Sequence, residues 1–213
     1  SYDGWISVFS WGTSGWNSGD NKYQPWDYSN DDPYNYFVGG NQNNDLTGNY
    51  AYADWGVYNA ISNGGNEPNK WRTLTKDEWN YILQQRPNYQ QLCSYADVNG
   101  IEGMILLPDN FLMPEGISWS PSQRPSQNHY TISDWMRMED NGAVFVPNDY
   151  GYRTDLDGSN NPEVWGYSMN TLWSSTHISD GHHSYSVYLP QLNTTPRRYR
   201  CDSGIIRLVQ DVE

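Results

Sequence analysis

Three of the four histidines, His177, His182 and His183, lie between positions 177 and 183, with Asp180 among them. Imidazole and carboxylate together bind zinc or move protons. Ser174 and Ser175 stand just upstream, so a hydroxyl nucleophile with a histidine base is a second chemistry to weigh. Further on, Arg197, Arg198, Arg200 and Arg207 gather in a chain of formal charge −13. The guanidinium forks of Arg197, Arg198 and Arg200 suit acidic ligand groups, and Tyr188 and Tyr199 add aromatic area beside them. All of these residues fall in WSSTHISDGHHSYSVYLPQLNTTPRRYRCDSGIIRLV, from Trp173 to Val209.

The catalytic options do not complete themselves. Adjacent histidines in a polar loop are ordinarily solvated rather than metal-bound. Nothing in the sequence supplies an orienting carboxylate or an oxyanion hole for Ser174 or Ser175. The expectation is therefore not an enzyme. Tyr, His, Ser, Asp and Arg on a rigid frame make instead the mixture of a combining surface, with aromatic anchors and adaptable hydrogen bonds.

Inside this stretch the period becomes two. That reading places Tyr185, Val187 and Leu189 on an inward face, and Ser184, Ser186 and Tyr188 on an outward one. A Trp-Ser-Ser turn is expected at its start. A strand is expected from Trp165 to Trp173 before it, turns at 177–183 and 190–203, and a closing strand over Ile205 to Val209.

Elements elsewhere must carry this surface. Thr75, followed three residues later by Glu78, predicts a capping box, and Trp79, Ile82, Leu83 and Arg86 share one helical face before Pro87 stops the helix. Asn99-Gly100, between Leu92–Val98 and Ile101–Leu107, predicts a tight hairpin, with Ile105, Leu106 and Leu107 buried on both faces. A second short helix is expected near Ser133 to Asp140. Thr131 or Ser133 caps it, Trp135 and Met138 face inward, and Asn141-Gly142 ends it before the strand Ala143–Pro147. The Trp5–Trp11 segment reads as packing, and residues 20–50 as a long ordered loop. The fold class is α+β, with small mixed and antiparallel sheets, two short helices and long ordered loops.

Composition bounds the function. At 213 residues the chain is expected to be one domain, 1–213, with a real core. Hydrophobic residues are 36%, but 11 Trp and 18 Tyr supply large area, so the chain does not read as disordered. The acidic balance argues against nucleic acid as a partner. No apolar run is long enough to span a membrane. Two cysteines, Cys93 and Cys201, are too few for a disulfide scaffold, and the sequence leaves open whether they meet. Asp155, Asp157 and Asn161 in TDLDGSNN lack the full calcium-loop pattern and read as a turn. No cofactor is expected, with a structural calcium ion as the one candidate. Ser1 falls inside what reads as folded sequence, as in a trimmed product with an anchor upstream.

The motifs WGTSGWN (11–17), ISNGG (61–65), WRTLTKDEW (71–79), VNGIEGMILLPD (98–109), NGAVFVP (141–147), GYR (151–153), WSST (173–176) and IRLV (206–209) occur in that order. Together they resemble the paralogous surface domain named for Fibrobacter succinogenes, common in gut Bacteroidetes. That group is similar to the formylglycine-generating-enzyme branch of the C-type lectin fold. It includes variable proteins of diversity-generating retroelements, in which a template copied with errors at adenines replaces the end of the gene.

The resemblance implies a C-type lectin-like domain on the cell surface or secreted. Residues 173–209 would be its variable region, meeting a protein or glycan ligand. It implies ligand-binding roles for His177, Ile178, Asp180, His182, His183, Ser186, Tyr188, Arg197, Arg198, Tyr199, Cys201, Asp202 and Gly204. Ser184 stands where the group has Ala, and Ile205 where it has Ser. Scrambling the adenines of an Asn codon cannot give Lys, Glu, Gln, Met or Trp. From His177 to Ile206 only Gln191 is of those types. A fixed carbohydrate-binding module is the alternative.

Overall fold

The computed structural model describes residues 8–11, 16–18, 21–22, 41, 43–48, 71–122, 127–148, 150–151, 167–168, 171–189, 197–200 and 203–211. Over these residues the chain is mixed α+β, with few helices and several small sheets. The TDLDGSNN turn, the ISNGG motif and most of the 20–50 loop lie outside the described residues.

In chain order the strands are β1 (Val8–Ser10), β2 (Trp16–Ser18), β3 (Asn21–Lys22), β4 (Arg72–Thr73), β5 (Cys93–Val98), β6 (Ile101–Leu106) and β7 (His129–Tyr130). They continue as β8 (Val144–Pro147), β9 (Tyr150–Gly151), β10 (Tyr167–Ser168), β11 (Thr171–His177), β12 (His183–Tyr188), β13 (Arg197–Tyr199), β14 (Ser203–Ile205) and β15 (Leu208–Val209). The helices are α1 (Lys76–Asn80) and α2 (Ile132–Asp140). The chain divides into two compact units. One holds Ser1–Trp79, Asp149–Tyr188 and Asn193–Glu213, the other Asn80–Asn148 and Leu189–Leu192.

In the second unit a four-stranded sheet runs β7-β5-β6-β8. Its centre is the β5–β6 hairpin, turned by Asn99 at φ 52° and Gly100 at φ 86°. Two successive positive φ values match the right-handed twist of the strands, and Asn-Gly adopts them at low cost. Ile105, Leu106 and Leu107 are buried as expected. α2 packs Trp135 and Met138 into a core with Ala96, Val98, Ile105, Leu107, Tyr130 and Ala143. Each such large side chain contributes about 1.5–3 kcal/mol by leaving water.

Thr131 is the cap of α2. Its Oγ1 accepts from the Asp134 N–H at 3.2 Å, and its own N–H donates to Asp134 Oδ2 at 3.2 Å. Gly142, at φ 90°, ends the helix. The short strand β7, parallel to β5, was not legible, because its two residues carry no period.

The capping box at Thr75 is formed. The Glu78 N–H donates to Thr75 Oγ1 at 3.1 Å, and the Thr75 N–H to Glu78 Oε2 at 2.8 Å. After α1 the helix widens into a π turn over Tyr81–Gln85, closed by the Arg86 N–H on Tyr81 O at 2.9 Å. Arg86 then turns extended, as a residue before proline must. Its buried guanidinium donates to Ile82 O and Leu107 O at 2.7 and 2.8 Å. Cys93 in β5 is a free, buried thiol. Burial pushes it up, against the pull of the Arg86 guanidinium.

In the first unit a five-stranded sheet runs β1-β14-β11-β12-β13. β14 lies antiparallel to β1 and parallel to β11, and β12 is antiparallel to both β11 and β13. Trp11, Leu46 and Trp173 form a buried cluster beneath it, with Ile206 packed alongside. Trp11 Nε1 donates to Ser174 O at 2.8 Å and Trp79 Nε1 to Trp173 O at 3.3 Å.

Two expectations are corrected here. The Trp-Ser-Ser segment is not a turn but the middle of β11, with an irregular register between Trp173 and His177. Ser175 donates its N–H to Leu74 O and accepts from the Leu46 N–H, so backbone partners from two distant segments hold it extended. The closing strand is likewise not continuous. Ile205 ends β14 in the large sheet, while Leu208 and Val209 pair with Thr73 and Arg72 in a separate ladder. Arg72 pins that ladder by donating to both Glu78 and Asp211.

Candidate functional site

The β11–β12 hairpin turns through residues 178–182. The Ile178 N–H closes it on His183 O at 2.9 Å, and Gly181 passes through φ 82°. Side chains set the rest of its shape. Asp180 Oδ1 accepts the N–H groups of His182 and His183 at 3.1 and 2.9 Å. Its Oδ2 meets His183 Nδ1 at 2.7 Å and accepts from the Arg197 guanidinium. Burial raises the Asp180 carboxyl, but Arg197 and the donors of His182 and His183 outweigh it. They hold the group well below the ordinary carboxylate range.

From below, the loop rests on Arg200. This guanidinium is fully buried, lies 4.7 Å over the Trp11 ring, and donates to His183 O at 3.1 Å and Ile178 O at 3.4 Å. Burial brings its pKa down to about 10, against the opposing pull of Asp180 and Asp45. His177, at the end of β11, is held by Asp45, which accepts its backbone N–H at 2.7 Å and meets its Nδ1.

Register sorts the side chains by face. His183 pairs with Tyr199, Ser184 with Arg198, and Tyr185 with Arg197 across β12–β13. On one face lie His183, Tyr185, Arg197 and Tyr199, and Arg197 and Tyr199 are exposed. The His183 and Tyr199 rings stack with centroids 4.2 Å apart, and Lys76 Nζ sits 4.2 Å over the Tyr185 ring. On the other face lie Ser184 and Ser186, 0% and 1% exposed, with Tyr188 and Arg198 half-buried.

The period of two is therefore present, but the faces are exchanged at the loop end. Ser186 is not outward. It is 1% exposed and pairs with Trp173 across β11–β12. Val187 and Leu189 are buried as expected, while Tyr185 is half-buried with a cation over its ring.

Of the other expected site residues, His182 is exposed, and His177, Ile178, Asp180 and His183 are half-buried around the loop. Arg198 donates to Thr171 Oγ1 at 3.2 Å. Gly204 is buried, and a Cβ there would stand 2.9 Å from Trp173 Nε1, so it is a packing position rather than a contact position. Arg200 is withdrawn from the arginines that would face a ligand, because its burial and carbonyl bonds make it part of the frame. Cys201 and Asp202 lie outside the described residues. Lys76, Tyr185 and Asp45 were missed as members of this neighbourhood. The chain pattern gives no signal for Lys76 or Asp45, since each reaches it from a distant segment.

Ser174 is buried, and its Oγ donates to Tyr185 O at 2.8 Å. Among the described residues no group of three or more His, Cys, Asp or Glu side chains is placed to hold a metal ion. No helix among them is long and apolar enough to cross a membrane. The chain matches no family model, no curated protein and no solved structure.

Proposed function

We propose that this chain is a ligand-binding receptor or adhesin, secreted or displayed on a cell surface, with a C-type lectin-like fold. Its stretch 173–209 is a region diversified by adenine-directed copying, and the ligand is a protein or a glycan. The chain acts by binding and catalyses no reaction.

One observation carries this reading. Exposed side chains of mixed chemistry, Arg197, Tyr199 and His182, stand on backbone fixed by buried Trp173, Arg200 and Trp11. A rigid frame with adaptable polar and aromatic tips limits the entropy lost on binding, which is what a combining surface needs. The near-absence of Lys, Glu, Gln, Met and Trp from His177 to Ile206 adds to it. The five-stranded sheet orders the variation that the reading expects. Codons for 182, 197 and 199 should vary, while those for 184, 186, 200 and 204 stay fixed.

Deep sequencing of the gene end across its natural population tests this, together with a search of the flanking DNA for a near-copy differing at adenines. Variation crowded into the exposed codons supports the proposal. A uniform gene end with no near-copy defeats diversification and leaves a fixed binding module.

A further inference from the structure

Ile132 and Met136 share one side of α2, a single turn apart, and are 54% and 57% exposed. Trp135 and Met138 of the same helix go into the core. Ile101 is 54% exposed as well. It pairs with Val98, and Val98 with Tyr130, just before α2 begins. Alternation along β6 sets Ile101 on the same sheet face as Ile105, the face that α2 covers. Large apolar side chains are thus exposed both along α2 and at the sheet end where it starts. A lone exposed apolar residue is ordinary on a surface, but a group of them marks an interaction site.

The border of this face is acidic. Glu139 and Asp140 are exposed, and helical spacing brings them beside Met136. Among the described residues neither carboxylate has an ion-pair or hydrogen-bond partner. Both lie in the last turn of α2, where the helix carbonyls already concentrate negative charge, so they cost the helix stability instead of adding to it. A cation arriving there relieves both. Arg137, the one cation of α2, is taken up by Glu115 O at 2.6 Å. From Asn80 to Asn148 the sequence has seven carboxylates, three arginines and no lysine, which favours a basic partner.

The same charge decides between occupants. A second copy would bring its own Glu139 and Asp140 and a formal charge of −13 to the contact, and the two chains repel. A segment with apolar side chains flanked by lysine or arginine matches both parts of the face. A ridge that runs along a helix suits a second helix laid against it.

We propose that α2 is a docking site for a cationic amphipathic helix of a partner protein. The apolar side of that helix packs on Ile132, Met136 and Ile101, and its basic side chains pair with Glu139 and Asp140. These residues lie outside the stretch 173–209, so substitutions in that stretch leave them in place.

Fluorescence anisotropy of the full chain with synthetic peptides of about 14 residues tests this. One peptide carries leucines on one helical face and lysines around the rest. A second has the same composition in scrambled order, and a third keeps the pattern with glutamate for lysine. The first should bind at least about tenfold more tightly than the others. Ile132→Ser and Met136→Ser leave the charge unchanged, and each should weaken that binding about tenfold with unchanged melting temperature. Glu139→Gln with Asp140→Asn should weaken it to a similar degree, and should flatten its fall as salt rises from about 20 to about 300 mM. Equal binding of the scrambled peptide, or indifference to both serine variants, means diffuse attraction to an acidic chain and overturns the proposal. So does failure of the first peptide to bind. Sedimentation that shows a dimer broken by Met136→Ser gives the face to a second copy and overturns the basic partner.

Discussion

The hairpin β5–β6 turns through two residues, Asn99 and Gly100, both at positive φ. The hairpin β11–β12 turns through 178–182, where Asp180 gathers the loop from within and Arg200 supports it from beneath. In the first, the backbone preference of two adjacent residues makes the turn. In the second, the loop's own Asp180 and two arginines, Arg197 in β13 and Arg200 just after it, hold the turn together. A loop held this way keeps its ends fixed while its exposed tips, such as His182, are open to substitution. The same sheet thus contains positions that cannot change beside positions that can.

The largest effect should come from the frame of the second kind. Trp173 is fully buried and packs against Gly204. Trp173→Ala should cost about 3–5 kcal/mol, read by urea denaturation. Arg200→Met should cost about 3 kcal/mol, because the carbonyls of Ile178 and His183 lose a buried donor. Arg197→Ala, at the exposed surface of the same strand pair, should cost less than about 1 kcal/mol. Similar losses for the two arginines would erase the distinction between frame and tip.

Overpacking comes next. Ser186→Leu should lose about 1–3 kcal/mol by overfilling a site that is 1% exposed, whereas Tyr199→Ala should stay within about 0.5 kcal/mol. Thermal melts of the two variants side by side check this.

The β5–β6 region should show smaller and local penalties. Thr131→Ala removes the α2 cap and should cost about 1 kcal/mol. Gly100→Ala meets no neighbour but must keep φ 86°, and should cost a similar amount, about 1 kcal/mol. Both are read by urea denaturation.

Acid titration sharpens the contrast further. The folded Asp180 carboxyl is held well below its unfolded value. Its contribution is therefore fully present above the unfolded carboxylate range, near pH 4, and is lost as pH falls toward the folded value. Asp180→Asn should flatten the acid limb of the stability curve below about pH 4 and leave the neutral limb's slope unchanged. An unaltered acid limb would mean that Asp180 does not hold the loop.

The same contrast explains what could be read in advance. The capping box at Thr75, the Asn99-Gly100 turn, the buried run Ile105–Leu107 and the strand before Pro147 depend on neighbours within a few residues, and all are visible in the chain, as is Thr131 as one of two cap candidates for α2. The period of two in 184–189 was visible as well. Its sense was not, because the covering groups come from elsewhere. Ser186 is buried on a strand that pairs with Trp173 across β11–β12. Polarity placed the serines outside, yet Ser184 and Ser186 are both buried. The split of 205–209 into two ladders escaped for a similar reason, since Thr73 and Arg72 capture Leu208 and Val209 from a remote segment. At the site, Arg197, Tyr199 and His182 were legible as exposed polar residues. Lys76 and the burial of Arg200 were not, since both depend on contacts across the fold.

The most direct test of a fixed frame carrying a substitutable face is a site-saturation library at 182, 197 and 199 and at 184, 186, 200 and 204. The library is displayed on cells and sorted for resistance to protease. Nearly all side chains should survive at 182, 197 and 199, while 186 and 204 keep only small residues and 200 keeps arginine. Equal tolerance at the two sets of positions, or intolerance at 197 and 199, would contradict a combining surface built on this sheet.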